Sequence, residues 1–236
     1  MPRVLNSLVV IFGLLCAAAL PAQAGLDMSA VTKDVQQVRT GDHRITIVMW
    51  LPEQFWRAAI MNSGKLTDDQ VEQFLKTVRP YTLVAVVDAK VGTFAGLTFA
   101  DRSTLAAGVT IEDANHNTYA PLGDDDVSPD LSNLLHMMAP VLTNMMGATG
   151  AHFEFFVFPA DAKGGGRVVD PERDGSFAVH VLDLTFNYRL PLGSLLAPQI
   201  DPKTGESFPG NFHFNPFTGD KLAPQPAASP PAAGKT

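Results

Sequence analysis

Acidic residues at alternating positions give the clearest candidate for metal chemistry in this sequence. The segment 170–175 places Asp170, Glu172 and Asp174 before a glycine, as in the first half of a loop that binds calcium through carboxylate oxygens. In such a loop a bidentate glutamate closes the coordination sphere, and the residue at that position here is Val181. The sequence therefore favours a solvated hairpin turn, with a weak calcium site as the alternative.

Soft ligands suited to copper lie together on one predicted helix. They are one imidazole and four thioethers: His136, Met137, Met138, Met145 and Met146. Cu(I) sites use such ligands. Met138 and Met145 also fall on the apolar stripe of the helix, where methionine commonly fills gaps in a core. Core packing is the favoured interpretation, and a weak Cu(I) site is the alternative.

Carboxylates and histidines offer a further kind of chemistry, general acid–base catalysis. Asp124–Asp126 form an acidic loop, and His152 and Glu154 share one face of a predicted strand because side chains alternate along a strand. His180 lies on a later strand and joins them if the two strands are neighbours. A hydrolase whose site is assembled only in the fold is one hypothesis, and a solvated sheet face is the other.

Compact catalytic motifs are missing from the sequence. It has no G-x-S-x-G elbow, no H-E-x-x-H, no Walker loop and no G-x-G-x-x-G. The glycines at 164–166 lie between a strand and an acidic turn, which indicates a flexible connector. We therefore predict no catalytic residue and no cofactor from the sequence.

Composition limits the classes of partner. The chain has 236 residues, of which 46% are hydrophobic, and a formal net charge of −7. The apolar fraction is high enough to form a core. A nucleic-acid-binding protein needs a basic surface to meet phosphates, so the acidic balance argues against that class and against electrostatic adhesion to anionic lipid.

The N-terminus has the pattern of an export signal. A basic residue precedes an apolar run over residues 8–20, and Ala22 and Ala24 then provide small residues two apart. The run is shorter than the ~20 apolar residues of a transmembrane helix, and no later stretch is longer. We predict a signal peptide over residues 1–24, cleaved before Gly25, no membrane span, and a periplasmic or secreted protein.

Cleavage at that site would remove the only cysteine, Cys16. The mature chain would then have no disulfide, no thiolate nucleophile and no thiolate metal ligand, and it would be held together by core burial alone. A lipid anchor at Cys16 is the alternative, but Leu15 stands where a small residue is expected.

Four helices are predicted from apolar spacing and capping residues. They cover residues 26–39, 52–64, 67–80 and 128–147. In the third, Thr67 and Gln70 form a capping box and Pro80 ends the helix. In the fourth, Pro140 is expected to kink the helix or split it.

Strands are predicted where β-branched or alternating apolar residues occur between turns. They cover residues 45–50, 83–87, 94–99, 108–111, 118–119, 153–157 and 177–188. A hairpin turn over 113–117 is expected to place Asn or His at positive φ. In the last strand the apolar positions change from odd to even, which predicts a β-bulge near Leu182 and Asp183.

This order of elements predicts an α+β fold. We expect a mostly antiparallel, sandwich-like sheet with N-terminal helices and one inserted, proline-kinked helix. The exported domain is predicted to cover residues 25–196, a separate hairpin 197–222, and a disordered tail rich in proline and alanine 223–236.

The hairpin contains a short internal repeat. Asp201-Pro-x-Thr204-Gly is repeated as Asn215-Pro-x-Thr218-Gly. The spacing is that of two C-P-x-C-G knuckles, with these four residues in place of the cysteines. The segment 201–222 resembles a bacterial zinc ribbon that has lost its metal.

The resemblance implies two turns that survive without zinc. Zinc affinity should collapse because hard oxygens replace soft sulfurs, whereas Asp or Asn followed by Pro and then Thr-Gly forms hydrogen-bonded turns on its own. Apolar side chains are then expected to dock the hairpin onto the main domain: Phe208, Phe212, Phe214, Phe217 and Leu222. A calcium site is the alternative, although only one carboxylate is present.

Two functional hypotheses follow from the sequence. The first is a non-catalytic exported module that binds an envelope or extracellular partner. The second is a hydrolase-type enzyme. A concave pocket that contains His152, Glu154 or the loop 124–126 would favour the enzyme.

Overall fold

The computed structural model describes residues 26–63, 66–94 and 96–225. The described helices are α1 (Met28–Val35), α2 (Glu53–Ser63), α3 (Asp68–Val78), α4 (Arg102–Ala106) and α5 (Pro129–Met146). The described strands are β1 (Gln36–Gly41), β2 (Arg44–Trp50), β3 (Tyr81–Val91), β4 (Leu97–Phe99), β5 (Val109–Glu112), β6 (Thr118–Tyr119), β7 (Glu154–Pro159), β8 (Gly175–Val181), β9 (Leu184–Leu190), β10 (Gln199–Ile200), β11 (Ser207–Phe208) and β12 (Ala223–Pro224). The strands form three antiparallel sheets, so the predicted α+β fold is confirmed. The predicted signal peptide, its cleavage site and residues 226–236 of the predicted tail lie outside the described residues.

The large sheet is built around β3. Its strand order is β1-β2-β3, and both β4 and β7 pair with the other side of β3. Every residue from Thr82 to Ala89 is buried, as predicted for a strand covered on both faces. In the described part of the chain, no helix has the length and apolar character needed to cross a bilayer.

The small sheet, in the order β6-β5-β8-β9, packs one face against the large sheet. The ring of Trp50 lies 4.8 Å from that of Phe177 and 6.1 Å from that of Tyr188, both edge-on. The Tyr188 hydroxyl group lies 3.2 Å from the carbonyl oxygen of Val35, to which it donates a hydrogen bond. Burial raises the pKa of Tyr188.

Helix α3 has the capping box and the buried apolar stripe that the sequence predicts. The Thr67 side chain accepts from the backbone N–H of Gln70, and the Gln70 side chain accepts from the backbone N–H of Thr67. This capping box satisfies two backbone donors that the first turn leaves free. Val71, Leu75 and Val78 form the buried stripe.

The predicted helix over residues 26–39 is wrong beyond Val35. The chain changes there from α1 into β1, which pairs with β2 along its whole length. A two-residue turn joins the strands, with φ values of 47° at Asp42 and 58° at His43. Backbone pairing with β2 therefore replaces helical hydrogen bonds in a segment whose apolar spacing suits either structure.

The predicted bulge near Leu182 and Asp183 is also wrong, although the change of parity that suggested it is real. These two residues form a tight turn between β8 and β9, so Val181 pairs with Leu184. A two-residue turn moves the inward positions from odd to even. Leu182 has a φ of 56°, and its amide donates to the carbonyl oxygen of Gly108 at 2.9 Å.

Helix α5 contains Pro140, where a kink or a split was predicted. Helix α5 runs through Pro140 as one helix, so the chain is not split there. Helix α4 was not predicted, and it begins at Asp101, whose side chain accepts from the backbone N–H of Thr104 at 2.7 Å. The turn over 113–117 is confirmed, with His116 at a φ of 63°.

The first turn of the C-terminal repeat is held by its own hydrogen bonds. Asp201 Oδ1 accepts from the backbone amides of Lys203 and Thr204 at 2.8 and 3.3 Å. The Thr204 hydroxyl oxygen accepts from the amide of Glu206 at 3.2 Å. Gly205 has a φ of 74°, which a residue with a side chain adopts only with strain.

The second turn repeats this geometry. Asn215 Oδ1 accepts from the backbone amides of Phe217 and Thr218 at 2.9 and 3.3 Å. The Thr218 hydroxyl oxygen accepts from the amide of Asp220 at 3.3 Å, and Gly219 has a φ of 75°. The internal repeat in the sequence is therefore a repeat in structure.

Two side-chain hydrogen bonds join the two turns, and the exposed one runs from Lys203 Nζ to Asp220 Oδ1 at 2.7 Å. Asn215 Nδ2 donates to Asp201 Oδ2 at 2.6 Å, and both side chains are buried. This bond, with those from the backbone amides of the first turn, lowers the pKa of Asp201. Each turn thus has one buried polar side chain, Asp201 or Asn215, and these two side chains are hydrogen-bonded to each other.

The docking of this segment is narrower than predicted. Phe208 and Leu222 are buried but are not part of the main hydrophobic core, and Phe212, Phe214 and Phe217 are 37%, 59% and 81% exposed. Two hydrogen bonds of 3.2 Å hold the segment, from the amide of Gly210 to the carbonyl oxygen of Gly193 and from Asn211 Nδ2 to that of Pro191. The prediction that all five apolar side chains dock the hairpin is therefore wrong for Phe214 and Phe217.

Candidate functional site

Strand β7 is the part of the large sheet that has an accessible edge beside a groove. It pairs with residues 81–86 of β3, while β4 pairs with residues 89–91 on the same side. The two short strands therefore lie end to end. One edge of β7 faces β3, and the other faces outward.

The direction of the β7 backbone groups follows from the ladder. Ala160 donates to the carbonyl oxygen of Pro80, and Leu51 donates to that of Leu83. Because hydrogen-bonded and non-bonded pairs alternate in an antiparallel ladder, the backbone groups of Phe155 and Val157 point away from β3.

The outward carbonyl oxygens both have partners. Leu122 donates its amide to Val157 at 2.7 Å, and the Arg102 guanidinium donates to Phe155 at 2.8 Å. The outward N–H of Phe155 has no acceptor among the described residues. The outward carbonyl oxygens of β7 are thus both occupied, whereas the outward N–H groups of Phe155 and Val157 have no acceptor among the described residues.

The groove along this edge has a volume of about 520 Å³ and runs between β7 and α5. Its apolar lining comprises Leu122, Val127, Leu135, Phe153, Phe155 and Val157. Its polar lining includes Arg102, Asp124, Ser132, His136 and Glu154. Apolar walls with a few converging polar groups are typical of a ligand site.

Arg102 is placed in the groove by the start of α4. Its guanidinium lies 3.5 Å from Glu154 and 3.6 Å from Asp124, and it lies 5.3 Å from the centre of the Phe156 ring. Both ion pairs are long and solvent-exposed, so they add little to stability. The charged groups of the groove are two carboxylates and one guanidinium, with Asp125 and Asp126 next to them in sequence.

His136 is fixed in one tautomer when it is neutral. Its Nδ1 lies 2.7 Å from the carbonyl oxygen of Ser132, and a carbonyl oxygen only accepts. Nδ1 therefore carries the proton, and Nε2 keeps a lone pair. A neutral imidazole in this state can accept a proton.

The structure brings together only some of the residues predicted for acid–base chemistry. Asp124 and Glu154 line the same groove, but His152 instead stacks on Phe99 with ring centres 3.7 Å apart. His180 belongs to the small sheet and contacts Glu112 and Thr185. The strands that carry Glu154 and His180 are not neighbours, so these residues do not form one site.

The predicted calcium residues lie in the turn before β8. Asp170 Oδ1 accepts from the backbone amide of Glu172 at 3.1 Å, and Glu172 Oε1 accepts from the Gln54 side chain at 2.9 Å. Among the described residues, no three His, Cys, Asp or Glu side chains are grouped so as to hold a metal ion. The calcium assignment to Asp170, Glu172 and Asp174 stays a prediction.

The copper candidates are only partly described. Met137 is 65% exposed, and Met138 packs against the core, as its position on the apolar stripe predicted. The side chains of Met145 and Met146 lie outside the described part of the structure.

One polar cluster was not found from the sequence. On the solvated face of the small sheet, Glu112 accepts from His116 Nδ1 at 2.6 Å and lies 3.3 Å from His180 Nε2. The hydrogen bond from His116, followed by that from His180, lowers the pKa of Glu112. Alternation puts Glu112 and His180 on the outer face, but only the pairing of β5 with β8 makes them neighbours.

Comparison of the chain with protein-family models, curated proteins and solved structures finds no match.

Proposed function

We propose that this chain is an exported, non-catalytic binding module, and that its ligand is an extended polypeptide segment with apolar side chains and a basic residue. The observation that carries the proposal is the free N–H of Phe155, a residue that lines the groove together with two carboxylates. The pattern of residues 1–24 supports export, and any partner would then be an envelope or extracellular polypeptide.

The edge of β7 supports an extended ligand. A polypeptide that lies along a strand edge supplies a carbonyl oxygen to each outward N–H, and its side chains enter neighbouring pockets. At Phe155 the donor is available and the groove is apolar on both sides. A ligand without a backbone carbonyl would leave this donor unpaired, at a cost of about 1–3 kcal/mol if the groove is closed to water.

The charge of the groove supports a basic residue in the ligand. The side chains of Asp124 and Glu154 are 93% and 32% exposed, so a ligand in the groove can reach both carboxylates. Arg102 is their only cationic partner among the residues that line the groove. A lysine or arginine of the ligand would supply the charge that Arg102 alone does not balance.

A labelled seven-residue peptide of alternating valine and threonine with a central lysine tests the proposal by fluorescence anisotropy. We expect the lysine peptide to bind about tenfold more tightly than the same peptide with glutamate, since one charge interaction of about 1.4 kcal/mol gives that ratio. Replacing Glu154 by Gln should reduce the ratio, whereas E206Q, which changes an exposed residue of the C-terminal segment, should not.

Backbone recognition is tested with a matched pair of variants at Phe155. Both F155A and F155P remove the ring, but only F155P also removes the outward N–H, which β3 does not use. We expect F155P to bind the lysine peptide about tenfold more weakly than F155A does. Equal affinity of these two variants, or no difference between the lysine and glutamate peptides, would overturn the proposal.

A hydrolase is the second candidate, because the groove contains Glu154 and Asp124, as expected for the enzyme, and His136 keeps Nε2 free to accept a proton. It ranks second because no hydrogen bond joins His136 to Glu154 among the described residues. If it is correct, mass spectrometry of the incubated lysine peptide will show two hydrolysis fragments. E154Q will then lower the rate by about 100-fold or more, as loss of a general acid or base does. An intact peptide with the wild-type protein would contradict hydrolysis of this substrate without affecting the binding proposal.

We also propose that residues 201–222 are a zinc ribbon in which a hydrogen bond has replaced the metal. In a zinc knuckle, backbone amides point at the metal-bound sulfurs, and the ion joins the two turns. In this chain the amides of each turn point at an oxygen of Asp201 or Asn215, and the bond between these two side chains joins the turns.

A further inference from the structure

A second groove lies at one end of the large sheet, and basic side chains from three places in the sequence line it. It has a volume of about 460 Å³ and lies where the β1–β2 turn, the end of β3 and the β8–β9 turn meet. Its cationic lining is Arg39, Arg44 and Lys90, and His43 lies in the same turn. The positive charge is local to this groove and does not reflect the composition of the chain, whose formal net charge is −7.

The strand register forces two of these cations together. Arg44 on β2 is directly opposite Lys90 on β3. Arg39 on β1 is opposite Thr46, and it lies on the same face one pair further along. Like charges directly opposite each other destabilise a sheet unless an anion lies between them.

The protein's own carboxylates satisfy only Arg44, and only in part. Its Nε donates to the buried Asp88 at 2.6 Å, and its Nη1 pairs with Asp183. Its Nη2 is buried and has no hydrogen-bond partner among the described residues. Buried polar groups are normally hydrogen-bonded, so this nitrogen lacks an acceptor that folded proteins usually provide.

Arg39 and Lys90 have no carboxylate partner in the described part of the chain. The Arg39 guanidinium lies 5.7 Å from the centre of the Phe186 ring, which orients it without neutralising it. The remaining acidic side chain of the lining, Asp42, lies in the exposed β1–β2 turn. The groove therefore offers two cationic side chains without a carboxylate partner, next to a third whose Nη2 is buried without a hydrogen bond.

We propose that this groove binds a small oxyanion, a carboxylate or a phosphate, through Arg39, Arg44 and Lys90. Guanidinium groups present paired N–H donors that match the oxygens of either anion, and Lys90 adds a point charge. This ligand relieves the repulsion between Arg44 and Lys90. It is independent of the polypeptide groove, which lies at the other side of β3.

Thermal unfolding at constant ionic strength tests the proposal, with inorganic phosphate and succinate as separate probes and sodium chloride as compensation. For the wild-type protein we expect a saturable rise of the melting temperature with at least one probe. A response to phosphate alone identifies a phosphate ligand, and a response to succinate alone identifies a carboxylate ligand. No saturable response to either probe would overturn the proposal.

Substitutions inside and outside the groove test whether the rise in melting temperature comes from binding in the groove. Lys90 and Arg39 are exposed, so K90Q and R39Q should fold, and each should raise the apparent dissociation constant about fivefold or more. K76Q, which removes an exposed lysine of α3, should leave it unchanged. An equal response of K90Q, K76Q and the wild-type protein would show a general salt effect and would also overturn the proposal.

Discussion

One zinc ion per chain is expected to bind tightly once Asp201, Thr204, Asn215 and Thr218 are all replaced by cysteine. Four thiolates at these positions would recreate a tetrahedral sulfur site, and the amides that now donate to oxygen would donate to sulfur. Structural sites of this kind bind zinc with about 10–16 kcal/mol near neutral pH. Zinc should therefore be retained on dialysis under reducing conditions and counted by elemental analysis.

The control for this experiment carries cysteine in the first turn only, D201C with T204C. Two thiolates cannot complete the site, so we expect this variant to lose zinc on dialysis. A four-cysteine variant that folds but keeps no zinc would show that the two turns do not have the geometry of zinc knuckles. The resemblance of residues 201–222 to a zinc ribbon would then be wrong.

Replacing Arg44 by methionine is expected to be the most destabilising single substitution considered for the main domain. Asp88 is 4% exposed, and Arg44 and the Thr46 hydroxyl donate to the same oxygen of its carboxylate. Removing one member of a buried ion pair leaves the other charge uncompensated, which costs about 3–5 kcal/mol. At about 2–4 °C per kcal/mol for a domain of this size, the melting temperature should fall by roughly 6–20 °C.

A double variant separates the ion pair from the packing around it. Removing both charges, as R44M with D88L, should recover most of the loss because no unpaired charge remains in the core. R189M removes an exposed arginine of β9 and should change the free energy of unfolding by no more than about 0.5 kcal/mol. A loss in R44M as small as that in R189M would disprove a stabilising role for the Arg44–Asp88 pair.

Structural elements that are determined by residues close together in the sequence were predicted well. The capping box of Thr67 and Gln70 depends on residues three apart, and the turn at His116 depends on five consecutive residues. The buried run of β3 was recognised because both faces of a covered strand are apolar. In each case the residues that determine the structure are neighbours in sequence.

Elements that depend on distant residues were predicted poorly. The odd and even apolar positions around Leu182 showed correctly that the parity changes, but no glycine or asparagine marks the turn. The contact of Leu182 with Gly108 supports that turn from another part of the chain. Residues 36–41 form a strand because β2 is available to pair with them, which their own apolar spacing does not show.

The candidate site was predicted only in part for the same reason. Glu154 and Asp124, two of the candidates for acid–base chemistry, both line the groove, but the free N–H of Phe155 follows from the pairing of β7 with β3. Arg102 was missed because α4 is too short to give a periodic pattern. The bond between Asp201 and Asn215 joins residues that the repeat aligned, although the repeat did not show that they meet.

The occupied carbonyl groups of β7 bear on the solubility of the protein. An exposed strand edge commonly recruits the same edge of another molecule, and such pairing requires donors and acceptors on both copies. Here Leu122 and Arg102 already occupy the outward carbonyl oxygens of Val157 and Phe155, so a second copy has no free acceptor for the N–H of Phe155, whereas a different polypeptide can provide one. Pairing of two copies through β7 is thereby discouraged.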